Sequence, residues 1–304
     1  MIMMEQNKPE KNMGSAAPRL DIQWFPGHMT KTLRLMEREI RNVDVVLQLL
    51  DARIPKSSLN PEIARITVGK PHLYLLNKAD LADPDITAQW LRYFQRGGDG
   101  CLAITSKGRG GMQQVKKAIE TELSELLARR AGKGMAGAKR RVMVVGIPNV
   151  GQSTFINSFA GSARAKTADR PGVTRGKQWV TVGDFDLLDM PGVLWKKFDS
   201  PTVAGNLAFI GSIRDEILDI ESLAMALLDE MRQMYPERLC ERYRLSEAEL
   251  AEEDIYLLLE TIGRKRGMLM SGGAVNTERA AIMLVDEFRG AKLGRVSLER
   301  PGEA

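Results

Sequence analysis

Residues 141–160 read RVMVVGIPNVGQSTFINSFA. A β-branched apolar run ends at Gly146, a turn-forming stretch carries the chain to Gly151, and helix-compatible residues resume from Gln152. A strand, a glycine-bearing loop and a helix in this order bring backbone N–H groups and the positive end of a helix dipole to one point. Such a point is a cradle for phosphate. Asn149, Val150, Gly151, Gln152, Ser153 and Thr154 line the expected cradle, and Ser153 supplies the hydroxyl that loops of this kind give to Mg²⁺. The motif expects Lys ahead of that Ser, and Gln152 stands there instead. A glutamine donates a neutral hydrogen bond but offsets no phosphate charge, so weaker triphosphate binding and slow turnover are expected.

Two further stretches share this chemistry. Asn77-Lys78-Ala79-Asp80 closes the apolar run HLYLL. An Asn amide and an Asp carboxylate at this spacing read guanine: the carboxylate accepts from N1–H and the 2-amino group, a pair that adenine does not offer, and the Lys stem covers the base. Asp189-Met190-Pro191-Gly192 follows QWVTVGDFDLL, which alternates like a hairpin turning at Gly183-Asp184. Asp189 fits an outer Mg²⁺ ligand and the Gly192 N–H a γ-phosphate contact, which makes the following loop a switch. Thr174, in DRPGVTR, is a candidate Mg²⁺ and γ-phosphate ligand, and Thr105-Ser106-Lys107 ends a strand where a loop could brace the base. Taken singly, each motif is a common turn or cap. Together they all fall at the carboxyl ends of predicted strands, where open α/β sheets gather ligands.

Their order is unusual. In ordinary GTPases the phosphate loop comes first and the guanine box near the end. Here the guanine box (77–80) and its brace (105–107) precede the phosphate loop (146–153), Thr174 and the DMPG box (189–192). A cyclic reordering of the same strands rebuilds one site. The Gly- and Lys/Arg-rich stretch 131–141, AGKGMAGAKRR, is predicted to be a mobile linker joining the customary chain ends. Strands alternating with helices predict an α/β fold of the P-loop NTPase type with a mainly parallel sheet over residues 20–200. Residues 1–19 are expected to be a flexible tail, a helix with a Thr30 cap region to follow Pro26-Gly27, and 112–130 to form one amphipathic helix. From residue 201 every apolar period is helical, which predicts a second, all-α domain over 201–304.

The remaining composition narrows the classes. The 304 residues carry a net charge of +5, two cysteines and two histidines. Cys101 and Cys240 match no metal or redox spacing, a multi-histidine metal site is excluded, and no apolar run is long enough to span a membrane. A reducing cytoplasm is the simple reading. Arg264, Lys265, Arg266, Arg279, Arg289, Lys292, Arg295 and Arg300 outnumber the four acidic residues of 261–300, so this region is either a solvated helix surface or a face for nucleic-acid phosphates, with Arg140 and Arg141 as a further basic rim. Gly272 and Gly273, in the turn MLMSGG, are expected to take positive φ.

The stretches QWFPGHM, DARIP, NKAD, GIPNVGQST, DRPGVTR, LLDMPGVLW, KRGMLMSGGAVN and GRVSLERP give the chain its resemblance to the circularly permuted GTPases of the YlqF/YawG group. The resemblance covers about Ile22 to Pro301. It implies a GTP/GDP- and Mg²⁺-dependent hydrolase that assists late assembly of the large (50S) ribosomal subunit, contacts its rRNA and is stimulated on the particle. A cytoplasmic protein, monomeric away from the ribosome and not membrane-bound, is expected. By the same resemblance Asn77, Lys78 and Asp80 read guanine with Thr105 and Ser106 as brace, and Gly192 meets the γ-phosphate. An apolar residue, Val193 or Leu194, replaces the usual glutamine after the DxxG box, and His28 becomes the candidate catalytic residue. An imidazole there could orient the attacking water; the other readings of His28 are a helix cap or a contact to RNA phosphate. His72, ahead of an apolar strand, is read as structural. Two rivals remain: a hydrolysis-impaired guanine-nucleotide sensor that docks on rRNA, because of Gln152, and an ATP-dependent kinase-like protein, against which NKAD argues.

Overall fold

A computed structural model describes residues 18, 20, 22, 25–107, 111–135, 137–161 and 178–302. Residues 1–17 and 19 of the expected tail, and Thr174, therefore lie outside the described residues. Six strands form one sheet: β1 Val45–Asp51, β2 His72–Asn77, β3 Gly100–Ala103, β4 Arg140–Gly146, β5 Gln178–Val182 and β6 Phe185–Asp189, in the spatial order β3-β2-β1-β4-β6-β5. All pairs are parallel except β5 with β6, whose hairpin turns at Gly183-Asp184 as expected. Every residue of β1 is buried, as a central strand covered on both faces requires. The register sets Asp51 beside Asn77, Leu49 beside Gly146 and Val144 beside Asp189. The loops leaving β1, β2, β4 and β6 thus emerge along one edge of the sheet.

Helices cover the sheet. They are α1 Gly27–Glu39, α2 Pro61–Ile66, α3 Pro84–Arg96, α4 Met112–Glu122, α5 Ser124–Gly132 and α6 Gln152–Ala160. On α3, Trp90 and Phe94 pack with Leu50, Leu76 and Cys101 in a separate small core, while Leu91 is only partly buried. Three sequence-based boundaries move. Helix α1 begins at Gly27 behind an extended Pro26, so Thr30 lies inside its first turn and caps nothing. The expected single helix over 112–130 breaks at the buried Leu123, and the bend lets Leu126 and Leu127 of α5 reach the main core. The expected linker 131–141 shrinks at both ends, because α5 runs through Gly132 and β4 starts at Arg140. Asp44 accounts for that: its carboxylate takes both Arg130 Nη atoms (2.7 and 3.0 Å) and the Arg141 N–H (2.9 Å). Arg140 turns to Asp184 (3.3 Å) and Glu120 (3.7 Å), so it is engaged within the fold rather than forming a free basic rim.

Beyond the sheet, α7 Pro201–Phe209, α8 Ile220–Met234, α9 Pro236–Tyr243, α10 Glu247–Leu250, α11 Ile255–Lys265 and α12 Thr277–Arg289 follow. Ser200, Asp219, Ser246, Asp254 and Asn276 cap their first turns, each through a side-chain oxygen that accepts backbone N–H groups. Apart from one isolated β-bridge, Leu269 to Val275, this region is helical among the described residues. The bridge closes the MLMSGG turn, and Gly272 and Gly273 take the expected positive φ (96° and 84°). One buried apolar cluster runs without interruption from Val144 and Leu188 of the sheet through Leu207 to Leu228 and Leu284 of the helices.

Candidate functional site

The guanine box and the phosphate loop meet. Asn77 Nδ2 donates to the Val150 carbonyl (2.7 Å), while its Oδ1 accepts from the Ser106 N–H (3.1 Å) and hydroxyl (2.7 Å). One buried amide thereby joins the ends of β2, β3 and the phosphate loop. Ser158 of α6 donates in turn to the Ser106 carbonyl (2.5 Å). Lys78 takes a positive φ of 59° and sends Nζ to the Asn149 carbonyl (2.7 Å) and to Asp51 (3.0 Å). Asn77, Lys78, Asp80, Ser106, Lys107, Gly151 and Thr154 line a cavity of about 210 Å³, together with Arg289 from α12. Ala79 sits in the same turn, held by its N–H to the Ile104 carbonyl (3.1 Å), one residue before Thr105.

The phosphate loop is shaped by close approach. Gly151 has φ 101°, and a Cβ there would stand 2.6 Å from Asn77 Nδ2. A Cβ on Gly192 would fall 2.8 Å from Pro148, so the DMPG box lies directly against the loop. Val193 N–H reaches the Gly146 carbonyl (3.1 Å), and the Val193 carbonyl accepts from the buried Asn60 (2.9 Å). The loop's outer side is held by the helical region: Asn149 Nδ2 donates to the Gly211 carbonyl (2.5 Å) and Ser212 to the Pro148 carbonyl (2.7 Å). Gln152, 8% exposed, turns away from the cradle. Its Nε2 donates to the carbonyls of Val144 (3.2 Å) and Met190 (3.0 Å), bridging β4 to the residue after β6.

Asp189 is buried, and no ion pair to it is found among the described residues. Burial alone pushes its carboxyl up to about 6. A carboxylate buried without a cation suits a site completed by a divalent ion. Among the described residues no three His, Cys, Asp or Glu side chains converge to hold a metal by themselves. An ion at Ser153 and Asp189 would therefore take its other ligands from phosphate and water, as Mg²⁺ commonly does. His28 is exposed on the first turn of α1, with no cap hydrogen bond from any side chain at that helix start. The next residue, Met29, is buried and its sulfur accepts from the Leu194 N–H (3.4 Å), so α1 lies against the segment that leaves the DMPG box. His72 behaves as a structural residue, stacked on Tyr74 and bonded to Gln48, with burial pulling it down to about 4.

Several participants had no chemical assignment in the sequence. Asp51 is fully buried between Arg53 (2.8 Å) and Lys78 (3.0 Å), and these cations hold its carboxyl well below the usual range despite burial. Arg289 and Arg295, expected on a phosphate-binding face, both have partners within the chain, although Arg295 stays exposed and Arg289 half-buried. Arg289 caps α7 at the carbonyls of Ala208 and Phe209 and pairs with Asp215, while Arg295 donates to Ala79 and Ala82. A separate basic cleft of about 840 Å³ gathers Arg238, Arg242, Arg244, Lys265, Arg266 and Lys292; Glu241 lies in its lining, Glu287 pairs with Arg242 and Arg266, and Glu249 pairs with Lys265. Its members come from three distant stretches, so only their spatial convergence reveals it. DARIP and GRVSLERP, which carried the family resemblance in the sequence, hold Asp51, Arg53 and Arg295 of these internal contacts.

With this geometry in place, comparison with known proteins is decisive. The chain is 44% identical over 283 residues to ribosome biogenesis GTPase A of Bacillus cereus, covering 93% of this chain and 95% of that protein. It is 45% identical to the protein of the same name from Priestia megaterium, over 94% of this chain and 99% of the relative. The chain belongs to the ribosome biogenesis GTPase A family. Residues 141–258 match the family model described as a 50S ribosome-binding GTPase. The fold is that of YlqF: a GDP-bound structure superposes with a TM-score of 0.62 at 27% identity, over 89% of this chain and 100% of that one. A GNP-bound YlqF from T. maritima gives 0.59 at 28% identity, over 90% and 100%. The guanine-first motif order of this family member is thus the permuted order of a GTPase fold.

Proposed function

We propose that this GTPase binds GTP with Mg²⁺, hydrolyses it, and assists late assembly of the large ribosomal subunit in the cytoplasm, acting as a monomer away from the particle. The observation that carries the reading is the Asn77 amide, which ties the guanine box, its Ser106 brace and the phosphate loop into one site. Asp80 accepts from guanine N1–H and the 2-amino group, Lys78 covers the base, and the N–H groups of 149–154 hold the phosphates. Ser153, Thr174 and Asp189 would hold the ion, which would supply positive charge to the phosphate oxygens. Gly192 senses the γ-phosphate. Water attacks the γ-phosphorus, and the β–γ bridging oxygen leaves with GDP. His28 orients that water on the particle; the contact of the next residue, Met29, with the Leu194 N–H beyond the DMPG box supports this assignment. Slow turnover off the particle follows from Gln152, whose amide already serves two carbonyls.

The basic cleft of α9, α11 and the 292 region is the proposed contact to rRNA phosphates. The test measures GTP turnover of this chain and of Gln152→Lys, with and without large ribosomal subunits. Turnover that rises on adding subunits, and rises further in Gln152→Lys, is expected. Turnover that stays at the spontaneous level for both proteins on the particle would favour a hydrolysis-impaired sensor and overturn the enzymatic reading.

A further inference from the structure

The guanine-box loop is built from two ends of the chain. From inside, Ala79 N–H and Leu81 N–H are held by the carbonyls of Ile104 (3.1 Å) and Lys78 (2.9 Å). From outside, residues 295–297 run along it. Arg295 Nη2 donates to the Ala79 carbonyl (2.9 Å) and its Nε to the Ala82 carbonyl (2.8 Å). Val296 N–H reaches the Leu81 carbonyl (3.1 Å), and the Ser297 hydroxyl accepts from the Asp83 N–H (3.1 Å).

The Ala79 carbonyl belongs to the peptide unit that also carries the Asp80 N–H. Holding that carbonyl, with the Leu81 N–H held on the other side, fixes both peptide planes that flank Asp80 and so the direction of its Cα–Cβ bond, which leaves only the side-chain torsions to aim the carboxylate. Guanidinium is suited to this, because its rigid fork of donors serves two carbonyls in one geometry. The strap is anchored in its turn. The buried Tyr235 hydroxyl donates to the Ser297 carbonyl (2.9 Å) and accepts from the Ser297 N–H (3.0 Å), while Leu298 N–H reaches Arg53 (2.8 Å).

We infer that Arg295 is a positioning residue for guanine recognition, and that the strap 295–297 belongs to the base-specificity apparatus although it lies more than two hundred residues from the box. The inference rests on the reading of Asp80 as the guanine ligand. A misaimed carboxylate loses the 2-amino contact first, and inosine nucleotides lack that group. Specificity therefore falls more than general affinity.

The test titrates GDP, inosine diphosphate (IDP) and xanthosine diphosphate (XDP) against the full chain, Arg295→Ala, Arg295→Lys and Asp80→Asn, with a thermal melt for each. In Arg295→Ala, GDP affinity is expected to fall about tenfold and IDP affinity by less than about threefold, the size of a lost charge-assisted hydrogen bond. Arg295→Lys, which can serve only one carbonyl at a time, falls between. An unchanged GDP/IDP ratio, whether both affinities hold or both drop together, overturns the positioning role. Asp80→Asn is expected to exchange GDP preference for XDP. If it does so while Arg295→Ala leaves the ratio intact, the strap inference alone fails; if it leaves GDP preference intact, the guanine reading fails and the strap with it.

Discussion

Gln152 decides how this GTPase differs from a motif with Lys at the same place. Its amide is a structural clip between β4 and the residue after β6, holding the Val144 and Met190 carbonyls. Gln152→Ala would leave the Met190 carbonyl without its donor, while the Val144 carbonyl keeps the Met190 N–H (3.3 Å), and a loss of roughly 1–3 kcal/mol is expected in chemical denaturation. A midpoint equal to that of the parent chain would show that the clip contributes nothing. Asp51 is the second residue on which the site leans. It compensates Arg53 and Lys78 at zero exposure, so Asp51→Asn removes the charge that both cations face. Breaking a buried pair in this way costs about 3–5 kcal/mol. GDP affinity is expected to drop as well, because Lys78 loses one of its two anchors; a fluorescent-GDP titration of the folded variant reads this. Asp51 could not be picked out by chemistry in the sequence, since DARIP has no catalytic spacing and its partner Lys78 lies a strand away.

At the scale of elements, β1 and β2 carry both the site and a titration. His72 opens β2, and burial depresses its imidazole to about 4, against an ordinary value near 6.5. The unfolded chain therefore takes up a proton in that window while the folded one does not, and stability is lost as pH falls from 6.5 towards 4. His72→Gln keeps a donor for Gln48 and removes the proton uptake. Its denaturation midpoint is expected to vary less over that window than the parent's, and an unaltered acid limb would contradict the assignment. The strands and most helices were legible because apolar runs and turn residues bound them. The break at Leu123 was not, because the apolar period of 112–130 continues across it, and only the core it serves requires the bend. The ends of the linker were equally hidden, since Asp44, on a remote segment, ties them down.

The whole molecule is held together by its last residues. Glu299, 243 residues from Lys56, accepts from Lys56 N–H (2.7 Å), from the Ser57 N–H and hydroxyl, and from Asn206 of α7 (3.1 Å). Trp90 of α3 donates to its carbonyl (3.0 Å). This carboxylate joins the β1 loop, α7 and the C-terminal strap, so Glu299→Ala is expected to cost at least about 2 kcal/mol. Because the apolar cluster is continuous across residue 201, the loss is expected in a single cooperative transition, with fluorescence and circular dichroism melting together. Separate melting of sheet and helices would show two independent units. The same continuity would give the proposed switch its route. The segment after Gly192 enters α7, and Gly211 and Ser212 beyond it return to hold Asn149 and Pro148. If Gly192 contacts the γ-phosphate as proposed, a change there would meet the helical region within twenty residues of the DMPG box.

What the sequence by itself determined was the chemistry and the class: strand-end motifs with glycines at tight turns, an Asn and Asp that suit guanine, and apolar periods that distinguish sheet from helices. These are local, and local chemistry is written in adjacent residues. What only the tertiary structure decided was partnership. The Gln152 side chain became a clip between strand ends, Arg289 and Arg295 took carbonyl partners within the chain, and the basic cleft assembled from residues 238–244, 265–266 and 292. Each of these depends on which side chain arrives within hydrogen-bonding reach across tens to hundreds of residues. That is set by packing the sheet, its helices and the terminal strap around one core, and no spacing along the chain encodes it.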